Sequence, residues 1–116
     1  MELKNKALFK ESCFVGGKWI DSDSGEKIKV DNPANNEIIG EVPKCSTSET
    51  NKAIKEAQDA FPNWRDKTAK ERSIILQKWA RLIEQNVDDL ARIMTLEQGK
   101  PLAEAKGEIL MGVTYI

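Results

Sequence analysis

Helix start and stop signals dominate the second half of the sequence. Ser46 and Thr68 are each followed three residues later by a glutamate, Glu49 and Glu71, which is the capping-box pattern. Apolar residues then recur at helical spacing, and Pro62 lies where the first of these segments would stop. We therefore predict helices that begin after Ser46 and after Thr68, the first of which ends at Pro62.

A tight corner between two further helices is predicted near the C-terminal end. Asn86 is suited to cap a third helix, Gly99 to end it in the left-handed conformation, and Pro101 to open a fourth in its first turn. Gly107 and Gly112 lie within that fourth helix, where each costs about 1 kcal/mol relative to alanine. Such a cost predicts close packing at both glycines.

The fourth helix carries an apolar stripe that continues to the last residue of the sequence. Its members are Ala105, Ile109, Gly112 and Ile116. An uncovered stripe of this kind exposes apolar surface to water. We therefore expect the chain to be the front part of a longer protein.

The first third of the chain has the pattern of two β-hairpins. Gly16-Gly17 separates two short apolar runs, and a two-residue glycine loop is a hairpin signal. Further on, Ile28 and Val30 alternate with lysines, which predicts a strand with one covered face. A second run at residues 37–42 follows a loop that contains Asn32-Pro33.

Length and composition indicate one unit of domain size. The chain has 116 residues, of which 40% are hydrophobic and 32% charged, and its net charge is −1 with interspersed signs. This excludes a basic surface for nucleic acid or anionic membranes. No apolar run reaches membrane length and the start lacks a secretory apolar segment, so we expect a cytoplasmic location. We predict a single partial α/β domain over residues 1–116, with a hairpin region at 8–43 and a helical region at 46–116.

Few side chains in this sequence are suited to chemistry. There is no histidine to act as a base, so Cys13 and Cys45 are interpreted as reduced thiols rather than as a nucleophile or a disulfide. Gly99-Lys100-Pro101 lacks the further residues of a phosphate-binding loop, and no Gly-x-Gly-x-x-Gly is present. Three aromatic residues at helical spacing are more typical of core than of a ligand-stacking set. They are Phe61, Trp64 and Trp79.

Several strings match, in order and spacing, the start of a known enzyme family. They are Val15-x-Gly17-x-Trp19, Asn32-Pro33-Ala34, Ile39-Gly40-Glu41-Val42-Pro43, and Thr95-Leu96-Glu97-Gln98-Gly99-Lys100-Pro101 followed by Leu102-Ala103-Glu104-Ala105-Lys106-Gly107-Glu108. Together they resemble the N-terminal part of the NAD(P)-dependent aldehyde dehydrogenases, and within them the succinate-semialdehyde dehydrogenases. The resemblance extends from about Leu8 to Ile116.

The resemblance implies a fold and an activity. It implies short β-hairpins and about four helices that precede a Rossmann-like core. The whole enzyme would oxidise an aldehyde to a carboxylic acid with NAD or NADP, through a cysteine thiolate and a glutamate-activated water, and would assemble as dimers or tetramers. The nucleophile, the base and the dinucleotide-binding residues of the family lie downstream of this segment. No catalytic, cofactor-binding or metal-binding side chain is therefore assigned here. The isolated chain is expected to be inactive and to bind no cofactor.

The resemblance also implies two further assignments. Some relatives hold a monovalent cation between backbone carbonyls and one acidic side chain. The corresponding positions here are Val30, Asp31 and Glu97. The fourth helix of the family borders the tunnel through which the aldehyde enters, so the face that carries Gly107, Leu110 and Met111 is expected to shape specificity.

A competing class is a non-catalytic helical module that binds a partner through the stripe of its fourth helix. A natural stop after Ile116 together with a stable monomer would favour this module. A continuing reading frame would favour the enzyme.

Overall fold

The computed structural model describes residues 2–116. A short 3-10 helix, Lys6–Leu8, is followed by two antiparallel hairpins and four α-helices. The strands are β1 (Cys13–Val15), β2 (Lys18–Ile20), β3 (Lys27–Asp31) and β4 (Ile38–Pro43). The helices are α1 (Thr47–Arg65), α2 (Ala69–Gln85), α3 (Val87–Gln98) and α4 (Leu102–Thr114). The predicted order of hairpins and helices is confirmed. None of these helices is both long and apolar enough to cross a membrane.

The Gly16-Gly17 loop forms the tight turn of the first hairpin. Its two glycines have φ values of 58° and 77°, and a type I′ turn needs positive φ at both central residues. Phe14 lies opposite Trp19, and their ring centroids are 5.2 Å apart. This distance suits a favourable aromatic contact.

The second hairpin is longer and irregular. The strand register shifts between Val30 and Asp31, and the loop that follows is closed by the Asn32 carbonyl, which accepts the Asn36 N–H at 2.7 Å. Val30 is half-buried, but Ile28 is 51% exposed. The predicted covered face is therefore not observed at Ile28 within residues 2–116, where about half of this side chain is open to solvent.

Capping boxes begin α1 and α2, as predicted. The Ser46 N–H donates to the Glu49 carboxylate at 2.8 Å, and the Thr68 N–H donates to Glu71 at 2.7 Å. Glu49 also accepts the Asp23 N–H at 2.6 Å, which ties the loop between β2 and β3 to the start of α1. The local capping pattern does not predict this long-range partner.

Pro62 does not end α1, contrary to the prediction. It lies inside the helix, which continues to Arg65. A proline removes its own N–H from the ladder and crowds the carbonyl four residues earlier, but the Pro62 carbonyl still accepts the Asp66 N–H at 3.0 Å. One further turn therefore forms beyond the proline.

The corner between α3 and α4 is closed by Gly99, as predicted. Gly99 has φ 82°, and its N–H donates to the Thr95 carbonyl at 2.8 Å. Pro101, however, precedes α4 rather than lying in its first turn. Its ψ of 141° is extended, while its carbonyl accepts the first helical hydrogen bond from Ala105 at 3.0 Å.

Asn86 lies before α3 but does not cap it with its side chain. Its backbone has φ −111° and ψ 13° instead of the extended conformation of a usual N-cap residue. The side-chain amide instead donates to the Leu82 carbonyl of α2 at 2.8 Å. The prediction of an Asn86 cap on α3 is thus wrong.

The buried interior is small, and the molecule is thin, with dimensions of 48 × 36 × 20 Å. Ala91 of α3 and Ala105 of α4 are fully buried where these helices pack together, and Ile109 is half-buried beside them. The α4 stripe that was expected to be uncovered is thus partly covered by α3. A Cβ added at Gly107 or Gly112 would meet nothing within 4 Å, so within residues 2–116 neither glycine is closely packed, and packing against further elements stays a prediction.

The aromatic residues of α1 and α2 do not form a core within this chain. Phe61 is 51% exposed and Trp79 is 55% exposed, while Trp64 is half-buried. Their assignment to the core is wrong for Phe61 and Trp79. The physical reason is that α1 packs mainly against β1, and α2 against α3 and α4, so the sides that carry Phe61 and Trp79 face no second layer within residues 2–116.

The N-terminal segment is anchored by a buried acid on α3. The Asp89 carboxylate accepts the Lys4 N–H at 3.0 Å and the Asn5 N–H at 2.8 Å. Its side chain is buried. These contacts fasten residues 4 and 5 to the first turn of α3.

Candidate functional site

An apolar groove opens between α2, α3 and α4 and has a volume of about 620 Å³. We call it the α3–α4 groove. The apolar lining consists of Ile83, Leu90, Ile93, Met94, Ile109 and Ile116. Glu97 and Glu108 also line it, but the described lining includes no thiol, hydroxyl or amine. The groove is suited to packing and not to nucleophilic chemistry.

The C-terminal end of α3 lies beside the Asn32-Pro33 loop. A Cβ at Gly99 would approach the Pro33 Cγ to 2.9 Å, and α3 packs against β3. This neighbourhood brings the segment that holds Val30 and Asp31 close to the helix end that holds Glu97. Within residues 2–116, no group of three or more His, Cys, Asp or Glu side chains is arranged for a metal ion. The cation assignment to Val30, Asp31 and Glu97 stays a prediction.

Thr95, one helical turn before the Gly99 corner, was missed by the sequence analysis. Its hydroxyl is buried and has no hydrogen-bond partner in the described part of the chain. A buried hydroxyl without a partner loses its hydration. A threonine within a helical pattern does not indicate from sequence that its hydroxyl will be buried without a partner.

Ion pairs fasten the elements around the corner. Lys106 Nζ lies 2.6 Å from one Asp88 oxygen, and Lys4 Nζ lies 3.4 Å from the other. Lys100 pairs with Glu108 across the start of α4. The hydrogen bond from Lys106, followed by its charge, holds the pKa of Asp88 below its ordinary value. The ion pairs of Asp88 thus attach both α4 and the N-terminal segment to α3.

The face predicted to border the aldehyde tunnel is open to solvent in this chain. Leu110 and Met111 are 46% and 56% exposed, and Gly107 is exposed beside them. These residues therefore remain available for contact with further elements. Their role in specificity stays a prediction.

The two cysteines lie together, although they are 32 positions apart. The Cys13 and Cys45 sulfur atoms are 3.7 Å apart, and both thiols are free. The interpretation as reduced thiols agrees with this geometry. Glu49 and Asp23 are the acidic neighbours of Cys45, and the chain contains no histidine base.

The backbone of the chain superposes closely on one part of larger solved structures. It superposes with a TM-score of 0.97 on an Escherichia coli structure described as an NADP-dependent enzyme, at 50% identity, covering 98% of this chain and 24% of that one. The matched region is the N-terminal part of the aldehyde dehydrogenase fold.

The sequence profile described as "Aldehyde dehydrogenase family" matches residues 19–116. The chain belongs to the aldehyde dehydrogenase family. It is 54% identical to glutarate-semialdehyde dehydrogenase from Pseudomonas putida over 116 residues, which are 100% of this chain and 24% of that protein. It is 51% identical to the NADP(+) succinate-semialdehyde dehydrogenase of Escherichia coli, again over 116 residues, 100% of this chain and 24% of the relative. The chain thus spans about a quarter of the length of these relatives. The predicted resemblance is confirmed.

Proposed function

We propose that the chain serves as the N-terminal part of an enzyme that oxidises a dicarboxylic semialdehyde to the carboxylic acid. Succinate semialdehyde is the proposed substrate and glutarate semialdehyde the second candidate. The supporting observation is identity of 54% and 51% along all 116 residues to relatives named for these two substrates. The two substrates share a carboxylate at the end opposite the aldehyde and differ in chain length.

The proposed oxidant is NAD or NADP, with NADP the first to test. The names of the Escherichia coli relative and of the superposed structure both include NADP. The cofactor would supply the hydride acceptor when bound. We assign none of its ligands to residues 1–116, and we propose that the chain on its own binds no cofactor and has no dehydrogenase activity.

The role of residues 1–116 in that enzyme would be structural. Half-exposed apolar side chains on α2, which include Ile75, Trp79 and Leu82, would pack against other parts of the enzyme. Burial of such side chains is favourable by about 25 cal/mol per Å² of apolar surface. The chain would thus form one partial domain in a cytoplasmic homo-oligomer, a dimer or a tetramer.

A monovalent cation would bind near the Asn32-Pro33 loop, with Val30 and Asp31 supplying backbone carbonyls and Glu97 the charge. The irregular register at Val30 and Asp31 supports this, because a bulge releases backbone groups from the strand ladder. Replacing Glu97 with Gln should weaken the dependence of activity on K⁺ or Na⁺. An unchanged cation dependence would contradict the proposal.

The function is tested on the natural protein by its intact mass and by aldehyde-dependent reduction of NADP and NAD. Reduction with succinate or glutarate semialdehyde, in a protein several times heavier than 13.0 kDa, would support the proposal. A natural protein of 13.0 kDa without activity on either aldehyde would overturn it and favour a helical interaction module.

A further inference from the structure

Two thiols meet where the first hairpin approaches the start of α1. Cys13 lies on β1, and Cys45 lies in the short segment between β4 and α1. Their sulfur atoms are 3.7 Å apart, which is van der Waals contact. The contact joins two parts of the chain that no strand pairing or helix connects directly.

The geometry allows a covalent bond between these sulfur atoms. A disulfide needs an S–S distance of about 2.05 Å, so the atoms must approach by less than about 2 Å from their present separation. Cys45 precedes the Ser46 cap and lies outside regular secondary structure. Rotation of its side chain, with adjustment of this short segment, is the movement that would bring the two sulfur atoms together.

We propose that Cys13 and Cys45 form a reversible oxidation site that takes a low-molecular-weight disulfide as its oxidant. One cysteine thiolate attacks a sulfur of the small disulfide RSSR and releases one RSH after protonation. The second cysteine then attacks the mixed disulfide, forms the Cys13–Cys45 bond and releases the second RSH. Two protein thiols are oxidised and one small disulfide is reduced to two thiols.

Within residues 2–116, the site is accessible to such a reagent. Cys45 is exposed and Cys13 half-buried, and both line a cavity of about 220 Å³. Val15, Ile20 and Ala53 supply apolar walls of that cavity. Cys45 is therefore the more accessible of the two thiols, and Cys13 is the nearest thiol to a mixed disulfide formed on it.

The surroundings of Cys45 also set how fast the site reacts. Desolvation raises the pKa of the Cys45 thiol, with further contributions from its hydrogen bond with Cys13 and from the Glu49 and Asp23 carboxylates. Because the thiolate is the attacking species, only a small fraction of Cys45 is reactive near neutral pH. The site should respond slowly at neutral pH and faster in alkaline solution, unlike a low-pKa redox sensor.

The test treats the natural protein with glutathione disulfide in mildly alkaline buffer, blocks the remaining thiols with N-ethylmaleimide, and maps the peptides by mass spectrometry. We expect a linked pair of peptides that contains Cys13 and Cys45, about 2 Da lighter than the sum of the two thiol peptides because two hydrogens are lost. It should exceed either single glutathionyl peptide at least about tenfold, since the second thiol has a millimolar or higher effective concentration. Dithiothreitol should reverse the link.

Matched variants separate the two steps. Cys13→Ser should stop at a glutathionyl group on Cys45, and Cys45→Ser should retain an unlinked Cys13. Either of two results in the unmutated protein would overturn the proposal. One is a glutathionyl group that persists on Cys45 while Cys13 stays free, and the other is a link found only between two chains on a non-reducing gel.

Discussion

Replacing Asp89 with alanine should release the N-terminal segment from α3. The buried carboxylate accepts the N–H groups of Lys4 and Asn5 at 3.0 and 2.8 Å. Hydrogen bonds to a charged group contribute about 1.5–3 kcal/mol each, so at the lower end the pair contributes about 3 kcal/mol. Because about 1.4 kcal/mol corresponds to a factor of ten, local opening of the segment should become roughly 100-fold more frequent in the variant. Amide hydrogen exchange at Lys4 and Asn5, measured by NMR, reports this opening directly.

The matched control is Asp88→Ala, one position earlier in the same helical turn. Both substitutions remove a negative charge that interacts favourably with the start of α3, so this contribution cancels. Asp88 forms exposed ion pairs with Lys4 and Lys106, which contribute about 0–1 kcal/mol. Exchange at Lys4 and Asn5 should therefore change at most about fivefold in the control. Equal acceleration in the two variants would refute a specific anchor at Asp89, as would unchanged protection in Asp89→Ala.

Other substitutions test the capping and corner residues. Hydrogen bonds from Ser46 and Asp23 lower the pKa of Glu49 to about 2 from 4.5, so its contribution to stability is complete above pH 4.5 and is lost as the pH falls towards 2. Urea midpoints across this interval should fall in the unmodified chain and stay flatter in Glu49→Gln; parallel curves would contradict the assignment. Gly99→Ala should destabilise the fold by about 1–2 kcal/mol because alanine is strained at this positive φ, and its Cβ would also clash with Pro33. Gly107→Ala should stabilise the fold by up to about 1 kcal/mol, because alanine has the higher helix propensity and its Cβ would enter open space. Urea midpoints that shift in the same direction in both glycine variants would contradict this contrast.

Turns and caps were predictable because each signal and its partner lie within a few residues. Ser46 binds Glu49 three positions away, and the Gly16-Gly17 turn depends on its own two dihedral pairs. Gly99 likewise ends α3 through a carbonyl four positions earlier. Local geometry alone decides these features, so the sequence of a short window is sufficient.

Burial was predicted poorly because it depends on elements far away along the chain. The spacing around Trp79 correctly indicates one face of a helix, but spacing does not say whether another layer covers that face. Trp79 is 55% exposed, whereas Ala105 is fully buried against α3. The proximity of Cys13 and Cys45 was equally invisible, since it depends on the placement of β1 beside the start of α1.

Two buried acids explain how a chain with a thin interior keeps the arrangement of its family. Glu49 and Asp89 both occupy the third position of a helix, and each accepts a backbone N–H from a segment at least 26 positions away. At such a position a carboxylate also interacts favourably with the helix dipole. A hydrogen bond to backbone fixes position and direction, which apolar contact does not. Glu49 therefore holds the loop between β2 and β3 against the start of α1, and Asp89 holds the N-terminal segment against α3. Neither contact depends on burial of an apolar side chain such as Phe61.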